Sequence, residues 1–138
     1  MNVIAHGIDL VETSRIAEML DEHGGRFVER CFTPSERAYA DDGTRRRAER
    51  YAARFAAKEA VLKAIGTGWR DGISWQDVEV RRSPMGEPSI VLTGKCAEVA
   101  SGLGIIDWRC SLSHTDMYAV ASVIALGAPE GSATGGSA

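Results

Sequence analysis

This chain has few cysteines, little net charge and no long apolar run. Its 138 residues include three cysteines, and none lies in the C-x-x-C spacing of a zinc site or a disulfide scaffold, so we expect a reducing, cytoplasmic setting. The net charge of −3 argues against a nucleic-acid-coating protein or a polybasic membrane binder. No apolar stretch approaches the roughly 20 residues that a membrane-spanning helix needs.

The composition is that of an ordinary folded domain, with 44% apolar and 25% charged residues. A chain of this length suits one domain with one core. We assign residues 1–126 to that domain. The remaining residues, 127–138, read GAPEGSATGGSA, and this small, polar composition predicts a flexible C-terminal tail.

Hydrophobic periodicity and capping signals predict the elements of the domain. Thr13 or Ser14 is expected to cap the first helix, and Thr33 with Glu36 forms the pattern of a capping box. The predicted strands cover residues 3–11, 78–82, 89–92, 108–112 and 117–126, and the predicted helices cover residues 14–22, 26–31, 34–42, 44–65 and 93–103. This order predicts an α+β fold in which a mainly antiparallel sheet packs against a long helix.

Two carboxylates stand out because each interrupts an apolar pattern. Glu59 lies on the apolar stripe of the long helix, where a lone carboxylate is costly to desolvate. It either pairs with Lys63, one turn later, or faces a site and holds a cation. Asp9 interrupts the first strand after Gly7, and it either begins a turn or contributes to a site. Two carboxylates from separate elements, together with phosphate oxygens, would suit Mg²⁺.

Basic, glycine and aromatic residues near Glu59 add further candidates. Arg54, Lys58 and Lys63 flank Glu59, and their charges would suit a multiply phosphorylated ligand. The segment Gly66-Thr67-Gly68 is either a helix cap followed by a turn or a place where the backbone approaches a diphosphate. Trp69 and Trp75 fit the core as well as a ligand contact.

Four ordered motifs resemble those of the holo-acyl-carrier-protein synthase family, which are small phosphopantetheinyl transferases. They are GIDLVETSRI, RFVERCFTPSE, RFAAKEAVLKAIGTG and SLSHTDMYAVA. The turn Gly86-Glu87-Pro88 also resembles a family turn, and the resemblance covers residues 3–126. It implies the small phosphopantetheinyl transferase fold and the transfer of 4'-phosphopantetheine from coenzyme A to a serine of apo acyl carrier protein in fatty acid biosynthesis. The reaction would require Mg²⁺ and release adenosine 3',5'-bisphosphate.

The resemblance also implies roles for individual residues. Asp9 and Glu59 would bind the metal, and Lys63 would lie beside the transferring phosphate, which makes these three the predicted catalytic residues. The residues predicted to line the coenzyme A site are Arg54, Lys63, Gly66, Thr67, Pro88, His114 and Thr115. The residues predicted to contact the carrier are Arg15, Met19, Arg26, Phe27 and Arg30. The family implies a homotrimer with each site between two subunits.

Three matters stay open at this point. The base for the carrier serine is either Glu59 or a metal-bound water. The carrier belongs to fatty-acid synthesis, to polyketide synthesis or to both, and it is either a separate protein or a domain of a large synthase. A non-catalytic ligand-binding domain and a nucleic-acid binder are the alternatives from other classes; the intact acidic and lysine residues argue against the first, and the acidic pI of about 5.6 argues against the second.

Overall fold

The computed structural model describes residues 1–70 and 72–129. The strands are β1 (Asn2–Glu12), β2 (Val78–Arg82), β3 (Pro88–Leu92), β4 (Ile105–His114) and β5 (Tyr118–Gly127). The helices are α1 (Thr13–Cys31), α2 (Pro34–Asp41), α3 (Arg47–Ile65) and α4 (Gly94–Gly102), and a 3₁₀ turn covers Trp75–Asp77. The predicted strands and helices are thus present, except that the first two predicted helices form one; β4 is longer and α3 begins later than the sequence pattern indicates.

The sheet that contains Asp9 has three antiparallel strands in the order β1-β5-β4, and β2 and β3 form a separate antiparallel hairpin. Along β5, one face is buried and the other is half-exposed, as the period of two in a strand requires. The buried face consists of Ala119, Ala121, Val123 and Ala125, and α3 packs across it. This confirms the α+β class, with an antiparallel sheet against a long helix.

The first strand lies unusually close to the long helix. A Cβ atom at Gly7 would collide with the backbone carbonyl oxygen of Ala60, and it would also come within 3.2 Å of the Ala64 side chain. Glycine at position 7 and alanine at positions 60 and 64 therefore let the β1 backbone touch the α3 backbone. Because Asp9 follows Gly7 on the same face of β1, this contact carries Asp9 to the C-terminal half of α3.

The first helix differs from the prediction at both of its glycines and at its cap. Instead of two helices separated by Gly24-Gly25, α1 continues through them with a kink at Gly24, whose φ of 44° and ψ of −119° are not helical. Neither Thr13 nor Ser14 is the N-cap; Glu12 holds that position without a side-chain cap hydrogen bond. The start of α1 is instead fixed by the Thr13 amide, which donates to the Met117 carbonyl.

The capping box of α2 is confirmed, and it extends into the core. The Thr33 side chain accepts from the Glu36 amide, and Glu36 Oε1 accepts from the Thr33 amide at 2.9 Å. Glu36 Oε1 also lies 2.8 Å from Lys58 Nζ, and Glu36 Oε2 accepts from the Val80 amide at 2.8 Å. One buried carboxylate thereby joins α2, α3 and β2.

Two further observations concern the end of the chain and possible membrane-spanning helices. Gly127 pairs with Asn2 and Ile105 as the last residue of β5, and residues 130–138 of the predicted tail lie outside the described residues. Within residues 1–70 and 72–129, no helix is long and apolar enough to cross a membrane.

Candidate active site

Asp9 and Lys63 meet where β1 crosses α3. Lys63 Nζ lies 2.8 Å from Asp9 Oδ1 and donates to the Ile8 carbonyl at 3.1 Å. The Asp9 side chain is 15% exposed and that of Lys63 is 56% exposed. The carboxylate is thus fixed between strand and helix while its cationic partner remains open to solvent.

Glu59 lies one turn before Lys63 on α3 and is half-buried. Its Oε1 accepts a hydrogen bond from the indole Nε1 of Trp69 at 3.2 Å. Of the two sequence interpretations, pairing with Lys63 is not the contact observed, because Lys63 bonds to Asp9 and Ile8. Glu59 therefore has a neutral partner, which leaves its negative charge available to a cation.

The loop after α3 turns back over the end of the helix. Gly66 is the C-cap in the left-handed region at φ 77°, and Gly68 also has a positive φ, 60°. Thr67 Oγ1 donates to the Gly68 carbonyl, and Arg70 Nε donates to the Thr67 carbonyl. The segment is thus both the cap and a tight turn, and the turn returns Trp69 to Glu59.

A second group of predicted residues lines a cavity of about 240 Å³ at the other end of α3. Arg54, Pro88 and His114 all border it. The His114 ring lies 3.2 Å from a carboxylate oxygen of Glu49. The other residues around this cavity are Tyr39, Glu49, Arg50, Ala53, Arg82, Gly86 and Leu112.

Three guanidinium groups surround the ring of Tyr39 beside this cavity. The guanidinium carbons of Arg50, Arg54 and Arg82 lie 4.3, 4.1 and 4.8 Å from the ring centroid. Burial lowers the pKa of Arg54 from its ordinary value, although Tyr39 and Glu36 counteract this. Since arginine stays charged over the physiological range, the cavity wall is positive and suits an anionic ligand.

Thr115 is not among the residues that line this cavity. Its Oγ1 accepts from the Met117 amide at 3.3 Å and from the Tyr118 amide at 3.1 Å, and its own amide donates to the Tyr118 carbonyl. These bonds close the turn between β4 and β5, so the observed role of Thr115 is to shape the turn after His114.

A larger cleft of about 610 Å³ lies along α1. Four of the five predicted carrier-contact residues line it, namely Met19, Arg26, Phe27 and Arg30. Its remaining walls are His23, Cys31, Phe55 and Trp75. The fifth predicted residue, Arg15, lies instead by a smaller cavity with Leu10 and Tyr118.

Lys58 does not belong with the ligand-binding cations, and the expectation that it flanks a phosphate site with Arg54 and Lys63 is wrong. Its side chain is 0% exposed, and its ammonium group donates to the carbonyls of Trp75 and Val78 as well as pairing with Glu36. Burial lowers its pKa from the ordinary value, and Glu36 counteracts this. The helical repeat of 100° per residue turns Lys58 inward while Lys63 faces outward.

The comparisons with known proteins decide the family. Residues 5–122 match the model of the 4'-phosphopantetheinyl transferase superfamily. The holo-[acyl-carrier-protein] synthase of Koribacter versatilis is 52% identical over 122 residues, which cover 88% of this chain and 97% of that protein. The chain belongs to the holo-[acyl-carrier-protein] synthase family. It is therefore an enzyme of the transferase class.

Solved structures of the family share this fold. The holo-[acyl-carrier-protein] synthase of Neisseria meningitidis superposes with a TM-score of 0.81 at 28% identity, covering 91% of this chain and 99% of that one. The Helicobacter pylori synthase, solved in complex with coenzyme A, superposes with a TM-score of 0.77 at 30% identity, covering 88% and 99%. The small phosphopantetheinyl transferase fold expected from the resemblance is thus confirmed.

Within this family fold, sequence reasoning missed the partners of the predicted residues. Tyr39, Arg50 and Arg82 come from α2, α3 and β2, and no local spacing links them. For Trp69 the sequence leaves the core and a ligand contact as alternatives and does not indicate the bond to Glu59. Its place directly after Gly66-Thr67-Gly68 is a signal, since a turn at a helix end returns the next side chain toward the last turns of the helix.

Proposed function

We propose that this synthase transfers 4'-phosphopantetheine from coenzyme A to a serine of apo acyl carrier protein, in fatty acid biosynthesis in the cytoplasm. The reaction depends on Mg²⁺ and releases adenosine 3',5'-bisphosphate. The observation that carries the proposal is the contact of Asp9 with Lys63 across β1 and α3, one helical turn from Glu59. The names of the relatives and the coenzyme A complex of the Helicobacter pylori synthase support the substrates.

The donor set around Asp9 fits a magnesium ion. Asp9 already holds the ammonium group of Lys63 at 2.8 Å, so this position attracts a cation. Among the described residues, no group of three or more His, Cys, Asp or Glu is arranged to hold a metal, and Mg²⁺ commonly uses one or two protein carboxylates beside substrate phosphates. Asp9 and Glu59 would hold the ion, which would neutralise the diphosphate and the charge that develops on the leaving group.

The chain's own residues then orient and stabilise the reacting groups. The carrier serine oxygen forms a bond to the phosphorus that bears the pantetheine, the bond from that phosphorus to the bridging oxygen breaks, and the serine proton goes to a base, for which Glu59 is the candidate in this chain. Lys63, exposed at the end of α3, donates to the phosphate oxygens. Such transfers depend mainly on alignment and charge stabilisation, so no nucleophile from this chain is needed.

The positive cavity beside Tyr39 suits the adenosine end of coenzyme A. Arg54 and His114 supply donors for phosphate, Pro88 supplies an apolar wall, and Arg50 and Arg82 add charge. Gly66 and Thr67 follow the other end of α3, the end at which Lys63 contacts Asp9, where their backbone would approach the diphosphate. Thr115 would act by holding the turn that presents His114.

The separation of Asp9 from the cavity that His114 lines supports a site shared between subunits of a homotrimer. Asp9 lies on edge strand β1 and His114 ends edge strand β4, with β5 between them. The outer face of this sheet exposes apolar side chains, including Ile8 at 55% and Leu10 at 62%. Burying such a face against a second copy is favourable, and it would bring the Asp9 edge of one subunit toward the cavity of its neighbour.

The cleft along α1 is the proposed carrier-docking surface. Arg26 and Arg30 are exposed beside the apolar side chains of Met19 and Phe27. Two arginines beside apolar contacts suit a carrier helix with acidic residues, because local charge rather than net charge steers the encounter.

The test is an assay of the complete protein with coenzyme A, Mg²⁺ and apo acyl carrier protein, in which mass spectrometry detects the added arm on the carrier serine. The wild type should convert the carrier, and E59Q should lower the turnover about 10²-fold or more, as the loss of one preorganised charge does elsewhere. The exposed residue Glu98 on α4 offers the matched control, E98Q, with unchanged turnover. Transfer by E59Q at the wild-type rate would contradict the assignment.

A further inference from the structure

Trp69 touches one of the two carboxylates of the site through a neutral donor. Its indole Nε1 lies 3.2 Å from Glu59 Oε1. An indole nitrogen can only donate, so the bond satisfies one oxygen of Glu59 without bringing a positive charge. Asp9 differs, since its partner is the ammonium group of Lys63.

The indole is held in place by stacking. The rings of Trp69 and Trp75 lie 3.7 Å apart at 27°, and those of Trp75 and Phe55 lie 4.8 Å apart at 24°. Phe55 belongs to α3, one turn before Glu59, so the stack connects the loop, the 3₁₀ turn and the helix. This fixes both the position of the indole and the direction of its N–H group.

We propose that Trp69 is a positioning residue that holds the Glu59 side chain in the rotamer that binds the divalent ion. With Oε1 oriented by the indole, Oε2 is directed away from it and remains available to the ion. Groups that orient a metal ligand in this way typically change metal affinity or activity 10–100-fold when they are removed. The inference rests on the proposed function, because it assigns Glu59 to the metal.

The test is W69F, which keeps the aromatic stack and removes the N–H donor. Isothermal titration calorimetry of Mg²⁺ at saturating coenzyme A, without carrier, should show an affinity about tenfold weaker than that of the wild type. In the transfer assay, the Mg²⁺ concentration for half-maximal rate should rise by a similar factor, with an unchanged KM for the carrier. W108F makes the same chemical change at a tryptophan on β4 and should leave both values unchanged. Equal Mg²⁺ affinity in W69F and the wild type would overturn the inference.

A second measurement does not depend on removing Trp69. The variant W75F/W108F leaves Trp69 as the only tryptophan, and Mg²⁺ added at saturating coenzyme A should change its fluorescence, an effect that adding E59Q abolishes. Fluorescence that does not respond to Mg²⁺ while the wild type still requires Mg²⁺ for transfer would overturn this inference alone. A wild type that transfers the arm without a divalent ion would overturn the metal assignment and this inference with it.

Discussion

Two lysines of α3 each pair with a carboxylate at 2.8 Å, and they differ in almost everything else. The pair of Lys58 with Glu36 is 0% exposed on both sides, and backbone amides and carbonyls complete its hydrogen bonds. The pair of Lys63 with Asp9 opens to solvent on the lysine side. Equal length therefore does not mean equal role: the first pair is part of the core, and the second can exchange its partners for a ligand.

The largest expected effect comes from breaking the buried pair. K58M removes the cation and leaves Glu36 as an uncompensated buried charge, which should lower the free energy of unfolding by about 3–5 kcal/mol. Urea denaturation followed by circular dichroism measures it. K63M is the matched control on the same helix and should change stability by less than about 1 kcal/mol, because exposed pairs contribute little. Equal losses in the two variants would contradict the distinction.

The opposite ranking is expected for catalysis. K63M removes the charge proposed to stabilise the transferring phosphate, so its turnover should fall about 10²-fold while its unfolding curve stays near that of the wild type. The transfer assay measures this at a temperature where K58M is still folded. Under those conditions K58M should keep most of its turnover, and a greater loss of turnover in K58M than in K63M would invert the two roles.

Exposed arginines on α1 extend the comparison to partner binding. R26E, and R15E at the smaller neighbouring cavity, should each raise the KM for the carrier about tenfold and leave the KM for coenzyme A nearly unchanged, because they reverse charges proposed to attract the carrier. K95E, an exposed reversal on α4, serves as the control for net charge. If R26E affects both KM values equally, the cleft along α1 is not the docking surface.

A third ion pair, Asp41 with Arg47, should have the smallest effect. Burial raises the pKa of Asp41, but hydrogen bonds from Arg47 and Tyr51 outweigh it, so the net pKa lies below the ordinary 3.8. A lowered pKa adds stability above about pH 3.8 that disappears as the pH falls through the folded-state value. D41N should therefore be less stable than the wild type by under about 1 kcal/mol at neutral pH, with the difference vanishing in acid. Urea titrations at several pH values would contradict this if the difference grew on acidification.

The sequence predicts the elements of this fold well where local chemistry decides them. The 3.6-residue period of α3 and the Thr33–Glu36 capping box are local signals, and both elements form. Gly24 shows the limit, because α1 continues beyond its glycines. Its second half packs Phe27, Val28 and Cys31 into the core, and the free energy of burying these side chains offsets the cost of one non-helical residue.

The candidate site was predictable in part for a similar reason. Asp9 and Glu59 interrupt apolar patterns and Lys63 lies one turn after Glu59, which marks all three in the sequence, and the structure brings Asp9 and Lys63 into contact. In the sequence Lys58 is equivalent to Lys63, because both flank Glu59. The partner that buries Lys58, Glu36, lies on another helix and gives no local signal. Spacing along the chain gives no measure of depth below the surface, so only the packed structure separates the two lysines.

The contact of Gly7 with Ala60 has a consequence for how this enzyme tolerates change. Because the contact involves only Gly7, the Ala60 backbone and the Ala64 methyl group, and none of these has side-chain rotamers, no rotamer change can widen or narrow the gap between the strand of Asp9 and the helix of Glu59 and Lys63. Substitutions that rearrange distant side chains should leave the spacing between Asp9 and Lys63 intact, whereas a single added methyl group at position 7 would force β1 and α3 apart.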